Sequence, residues 1–172
     1  MILIPFPEMK LLTETLALAM GAELRTLDWH HFPDGESLMT LPGDLDGADV
    51  ALLATLRNPD HHALPLRFAA ATAREMGARR VGLIAPYLGY MRQDSRFEAG
   101  QAVSARLFAH FLGESFDWLV TVDPHLHRIA RLEEVFPIPA VRAVSAPLLA
   151  NWIKTNLPDA VLLGPDSESQ QW

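Results

Sequence analysis

Residues 83–112 read LIAPYLGYMRQDSRFEAGQAVSARLFAHFL. An apolar run, Val81 to Ala85, breaks at Pro86, a polar loop follows, and from Val103 to Leu112 the apolar residues return at helical spacing before Gly113. A buried strand, a loop and an amphipathic helix in that order form one unit of a parallel sheet. Loops of this kind leave the carboxyl ends of the strands, where ligands bind. Arg92, Gln93, Asp94 and Arg96 fall within five positions of this loop. A guanidinium fork, an amide and a carboxylate so close together suit phosphate and base recognition. The same composition also fits a solvated turn with ordinary surface charges.

The pattern repeats on both sides of this stretch. Met1 to Pro5 is a short apolar strand, and Glu8 to Met20 carries Leu11, Leu12, Leu16 and Met20 at helical spacing before Gly21. Two short extended segments flank Phe32 to Glu36. Asp49 to Ala54 is a continuous apolar run, as a strand covered on both faces requires. Leu64 to Met76 is a helix with Leu64, Phe68 and Ala71 along one face and Gly77 as its stop. Trp118 to Val122 is a strand, Val141 begins another, Ala146 to Thr155 is a helix, and Ala160 to Gly164 a last strand. Strand and helix alternating in this way predict an α/β fold, a mostly parallel sheet with helices on both faces. The loops bearing Arg92, His125 and Asp166 each follow such a strand, so one fold rule brings all three to one sheet edge.

At 172 residues the chain fits a single domain, and 49% hydrophobic content supports a sizeable core. No run of about 18 apolar residues suggests a membrane span. The N-terminus lacks the basic segment of a signal peptide, and there is no cysteine to build a disulfide framework, which fits a cytoplasmic location. A net charge of −7 disfavours nucleic acid as a partner. Between Arg74 and Arg106, however, six arginines face only three carboxylates. Such a positive island suits a small phosphorylated metabolite.

Asp34-Gly35-Glu36 is a turn with two acceptors around a glycine. Carboxylates there can accept from an adenine amino group or ribose hydroxyls, and Phe32 could stack on a purine; a plain hairpin turn needs none of this. No Gly-Lys dipeptide occurs, so there is no P-loop. His125-x-His127 beside Asp123 has metal-ligand spacing, which admits a metal-dependent hydrolase if a third ligand exists. Asp60-His61-His62 resembles an Asp-His-His phosphoesterase motif without its companion aspartate motif, and otherwise is a polar loop before a helix. Ser104 is a helix cap or first-turn residue rather than a nucleophile.

Four of these segments, in order, resemble ribose-phosphate pyrophosphokinase, the family that makes 5-phosphoribosyl 1-diphosphate (PRPP). They are Phe32-Pro33-Asp34-Gly35-Glu36; Pro86-Tyr87, Tyr90 and Arg92-Gln93-Asp94 with Val103-Ser104-Ala105-Arg106; Thr121-Val122-Asp123-Pro124-His125; and Pro165-Asp166. The resemblance covers nearly the whole chain but about half of the family's usual length. It implies a type I phosphoribosyltransferase-like domain over residues 1–172, lacking a following C-terminal domain. It also implies a diphosphoryl transfer from ATP to ribose 5-phosphate that yields PRPP and AMP. Phe32, Asp34, Gly35, Glu36, Arg92, Gln93 and Asp94 are then ATP-binding, and His125 and Asp166 hold magnesium. The hairpin loop reaches a neighbouring subunit's nucleotide site, in a dimer to a hexamer. The family's catalytic lysine and arginine loop falls beyond Trp172, so the chain alone is expected to be inactive. Three departures stand out. Ser95 replaces a basic residue, with Arg96 next. Asp46-Gly47 replaces an Arg-Gly that binds effectors. Pro165-Asp166-Ser167-Glu168-Ser169 lacks two glycines. A noncatalytic, synthetase-associated regulatory subunit is therefore a second implied identity.

Overall fold

The computed structural model describes residues 1–164. The elements are β1 (Ile2–Pro5), a 3-10 turn (Pro7–Met9), α1 (Lys10–Met20), β2 (Glu23–Leu24), β3 (Asp28–His31), β4 (Ser37–Thr40), β5 (Asp49–Leu53), α2 (Pro59–Glu75), β6 (Arg80–Ala85), α3 (Ser104–Gly113), β7 (Trp118–Val122), a second 3-10 turn (Leu132–Glu134), β8 (Ala140–Ala143) and α4 (Ala146–Asn156). Six strands form one sheet in the order β2-β1-β5-β6-β7-β8, and β3 and β4 form a separate antiparallel hairpin. The pairs β1–β2, β1–β5, β5–β6 and β6–β7 are all parallel.

Side chains alternate across the sheet, and the two sets define two cores. Ile2 and Ile4, Val50 and Leu52, and Val81, Leu83 and Ala85 face the larger core, together with Leu66, Ala69, Ala70 and Ala73 of α2 and Ala105, Phe108, Ala109 and Leu112 of α3. Leu3, Ala51 and Leu53 face the smaller one, with Met9 and Ala17. Val50 to Leu53 are fully buried, as the continuous apolar run predicts for a strand with neighbours on either side and helices above and below. The helices do lie on both faces. At the opposite edge from the loops discussed below, Arg79 and Arg80 both fork onto Asp49 at 2.6–3.2 Å. Their hydrogen bonds hold its carboxyl far below the usual carboxylate range.

Three expectations need correction. First, α2 begins at Pro59, not Leu64, so Asp60-His61-His62 is its first turn rather than a preceding loop. Proline suits that opening because the first helical N–H has no intrahelical partner. The face that α2 buries is the alanine face; Leu64 and Phe68 are 56% and 47% exposed. Small side chains let a helix approach the sheet closely, and the larger ones are left on its flank. Second, the same inversion occurs in α1, where Thr13 and Ala17 are buried while Leu11, Leu12 and Met20 stay exposed. Third, residues 160–164 form no strand. A strand exists only when a neighbour completes its hydrogen-bond ladder, and an apolar run by itself cannot supply one.

Residues Met1–Arg142 make one compact unit, and a second begins at Ala143 and contains α4. No helix among the described residues is long and apolar enough to cross a membrane.

Candidate functional site

The chain runs from β1 through α1 to β2 on one side, then returns to β5 on the other side of β1. The strand order therefore reverses between β1 and β5. In open parallel sheets, ligands bind outside the carboxyl ends of the strands near such a reversal. The loops that leave β5, β6 and β7 all open on that edge.

The loop after β6 is held by backbone contacts at its start. Leu56 N–H donates to Tyr87 O at 2.9 Å, and a Cβ at Gly89 would stand 2.6 Å from Leu56 O. Only glycine permits this approach. Tyr90 then takes a left-handed backbone, φ 65°, which is uncommon for a bulky residue. Its hydroxyl donates to Asp60 in the first turn of α2, and this bond, then burial and the carboxylate's charge, push its phenol up. Gln93 O accepts from Ala105 N–H at 3.1 Å, satisfying a donor that α3 cannot pair internally. No side chain caps α3, so Ser104 serves as a first-turn residue. Further along, the Gln101 side-chain oxygen accepts from Phe97 N–H and Glu98 N–H, and Arg96 Nε donates to Gln101 O.

The three predicted contacts in this loop have different surroundings. Arg92 is exposed and makes no hydrogen bond or ion pair among the described residues. Gln93 is half-buried and donates to Ser95 O at 3.2 Å. The Asp94 side chain is only 1% exposed; it accepts from Arg128 Nη1 at 2.9 Å and from Arg128 N–H at 3.1 Å. Burial pushes the Asp94 carboxyl up, but the Arg128 amide and guanidinium outweigh it and hold the group below the ordinary carboxylate range.

Arg128 belongs to the loop after β7, so this pair joins the two loops. Val122 N–H to Pro86 O, 3.4 Å, joins them again at their roots. Asp123 opens the second loop with φ 39° and lies 3.7 Å from Arg142. A left-handed non-glycine residue in each of the two loops marks backbone held in place by its surroundings. His125 is half-buried, and the His125 and His127 rings are 6.3 Å apart. Among the described residues no three His, Asp or Glu side chains are grouped to hold a metal, so the third ligand that a His125/His127 hydrolase needs is not found there. Asp166 lies outside the described residues.

The β3–β4 hairpin supplies the other predicted contacts. Gly35 has φ 93°, and Asp34 Oδ1 accepts from Glu36 N–H at 3.1 Å, so both acceptor residues belong to a defined turn. Phe32 is 42% exposed. The hairpin packs on α2 through stacked rings: His31 and His61 lie 5.4 Å apart and nearly parallel, with Trp29 4.9 Å from His61. A groove of about 660 Å³ runs between hairpin and helix, lined by Asp34, Gly35, Glu36, Asp60, His61 and Phe68 among others. Asp60 thus touches both the hairpin groove and, through Tyr90, the Arg92 loop. Beneath it, buried His62 faces Glu8 at 2.8 Å and Asn58 O at 3.2 Å. Asp60, Tyr90 and Arg128 have no sequence signal that assigns these partners, because each partner is at least 30 residues away.

The sequence model of the N-terminal domain of ribose phosphate pyrophosphokinase matches residues 1–115. A ribose-phosphate pyrophosphokinase of Halobacterium salinarum is 38% identical over 155 residues, covering 90% of this chain and 54% of that protein. Its counterpart in Methanopyrus kandleri is 35% identical over 158 residues, covering 91% and 53%. The crystal structure of phosphoribosylpyrophosphate synthetase from Mycobacterium smegmatis superposes with a TM-score of 0.81 at 22% identity, over 92% of this chain and 53% of that one. That likeness establishes the fold as the type I phosphoribosyltransferase-like α/β arrangement. The chain spans about half the length of the curated relatives it matches. With residues 1–115 matching the family model and 90% of the chain aligned to a relative 38% identical to it, the chain belongs to the ribose-phosphate pyrophosphokinase family.

Proposed function

We propose that this chain is the nucleotide-recognising part of a ribose-phosphate diphosphokinase, an enzyme that makes PRPP and AMP from ATP and ribose 5-phosphate. One observation carries the proposal. The loops after β6 and β7 are tied together at the carboxyl edge of the sheet, with the guanidinium of Arg92, unpaired among the described residues, on one and the imidazole of His125 on the other. An exposed arginine without an internal partner is available to fork onto phosphate oxygens. Gln93 and the hairpin residues Phe32, Asp34, Gly35 and Glu36 offer the stacking surface and polar groups that a purine nucleoside needs, and Asp94 supports them from behind.

In the reaction, the anomeric oxygen of ribose 5-phosphate attacks the β-phosphorus of ATP. The bond from that phosphorus to the oxygen bridging to the α-phosphate breaks, AMP leaves with the electron pair, and the hydroxyl proton is lost. Attacking and leaving oxygens lie nearly in line, so the protein contributes position and charge neutralisation. Magnesium, when bound, neutralises charge on the transferring phosphates. A hard cation held beside a nucleotide would keep most of its shell from water and phosphate and need few protein ligands, and the half-buried His125 imidazole, a nitrogen donor, would meet it through a bound water. We assign those ligands to His125 and Asp166. In the same proposal the protein self-associates, and residues 1–172 bind ATP without turnover.

Calorimetry with magnesium and a non-hydrolysable ATP analogue tests this. The chain should bind, and Arg92→Ala should weaken binding by about 2 kcal/mol, roughly thirtyfold, while leaving the melting temperature unchanged. Binding unaffected by Arg92→Ala would remove the basis of the proposal. PRPP formation by the 172-residue chain would overturn the assignment of binding without turnover.

A further inference from the structure

We propose that Arg128 is a positioning residue: through the buried carboxylate of Asp94 it clamps the Arg92–Gln93 loop onto the loop that carries His125, so that both meet one nucleotide in fixed register. This rests on the ATP-binding role proposed above.

The clamp has two prongs of different kinds. The Arg128 guanidinium binds Asp94 Oδ1 at 2.9 Å, and the Arg128 main-chain N–H binds Oδ2 at 3.1 Å. A side chain can swing away from a partner, whereas a peptide N–H cannot move without its backbone. The second prong therefore fixes the chain at position 128, three residues beyond His125. On the other side, Asp94 is two residues beyond Arg92, and Gln93 O is held by Ala105 N–H of α3. Residues 92–94 are thus caught between a helix and the neighbouring loop. The Arg128 guanidinium also lies 5.2 Å from the centre of the Phe97 ring, which covers the pair from the same loop.

The chemistry of Asp94 makes the clamp consequential. Its side chain is almost wholly buried, whereas that of Arg128 is 49% exposed. A carboxylate in that position is tolerated only while its donors are in place. Without the guanidinium, only main-chain N–H groups remain for a full charge, and the loop regains hydration for Asp94 only by lifting it toward water. That motion carries Arg92 with it. A nucleotide then binds only the fraction of molecules whose loop is seated, and its apparent dissociation constant rises in proportion. Arg128 acts here through Asp94 and need not touch substrate.

Two measurements on the 172-residue chain test this, with Arg128→Met, Arg128→Lys and Asp94→Asn/Arg128→Met as variants. The first is hydrogen exchange without nucleotide. Arg128→Met should speed exchange at the amides of Gln93, Phe97, Glu98 and Ala105 and leave those of β5 unchanged. The second is calorimetry with magnesium and the ATP analogue. Arg128→Met should weaken binding about tenfold, Arg128→Lys by no more than about threefold because it keeps the charge, and the double variant less than Arg128→Met because no charge is stranded. Unchanged loop exchange in Arg128→Met overturns the clamp whatever the nucleotide does. Faster loop exchange with unchanged affinity, in a chain whose Arg92→Ala variant has lost binding, overturns the positioning role. If Arg128→Met fails to fold, Arg128→Lys decides: a loss of about tenfold or more in affinity with a normally exchanging loop overturns the proposal. A chain that binds no nucleotide while its loop still opens in Arg128→Met overturns the ATP-binding role, and the positioning role with it.

Discussion

Gly89→Ala probes how the loop after β6 is seated, and its cost follows from geometry. A Cβ at position 89 would stand 2.6 Å from Leu56 O and 3.0 Å from Pro59 Cγ. An ordinary contact begins near 3.4 Å, so the two loops must separate by about 0.8 Å, from 2.6 to 3.4 Å. Neither neighbour yields easily. The first is a main-chain carbonyl of a fully buried residue, and the second is a proline ring at the start of α2. Overpacking of this kind costs about 1–3 kcal/mol. Separation also stretches the 2.9 Å bond from Leu56 N–H to Tyr87 O, a further ~1 kcal/mol if it breaks. We expect a total near 2–4 kcal/mol. For a chain of this length that lowers the melting temperature by about 4–16 °C. Urea titration followed by circular dichroism measures it directly. Gly100→Ala is the control, since nothing lies within 4 Å of its Cβ and only its φ of 88° opposes the change, worth about 1–2 kcal/mol. A Gly89→Ala chain as stable as the parent would show that the loops after β5 and β6 do not meet this closely.

The remaining predictions concern the groups around this loop. The Asp94 carboxyl is held below its ordinary range in the folded chain. The unfolded chain therefore binds its proton first as pH falls, and the stabilisation from the Arg128 pair is present above about pH 4 and lost below it. The urea midpoint should fall as the pH drops below about 4, less steeply in Asp94→Asn; identical slopes in the two proteins would contradict the pairing. Tyr90→Phe removes the hydroxyl that donates to Asp60 and should cost about 1 kcal/mol in the same titration. A neutral result would mean that Asp60 is as well satisfied by water.

The residue pattern alone was sufficient for the layers of the fold. β5 and β6 are legible because a strand covered on both faces must be apolar at every position, and β7 was bounded correctly at Trp118 and Val122. The strand-end loops and their motif residues follow from the same rule, since Arg92 and His125 each lie beyond a readable strand. Other features depend on what the sheet brings together. Which face of α2 is buried was decided by how closely a helix can approach the sheet, and that favours Ala69, Ala70 and Ala73 over Leu64 and Phe68. The two-residue strand β2 is too short to show a period. Residues 160–164 are apolar enough for a strand yet form none, because pairing belongs to two segments and composition to one. The same holds at the candidate site. A sequence displays Asp94 and Arg128 as two charges 34 residues apart, and only the parallel pairing of β6 with β7 sets their loops side by side and pairs the buried Asp94 carboxylate with Arg128. Local spacing encodes periodicity and turns; partners across the chain are chosen by the register of the strands that carry them.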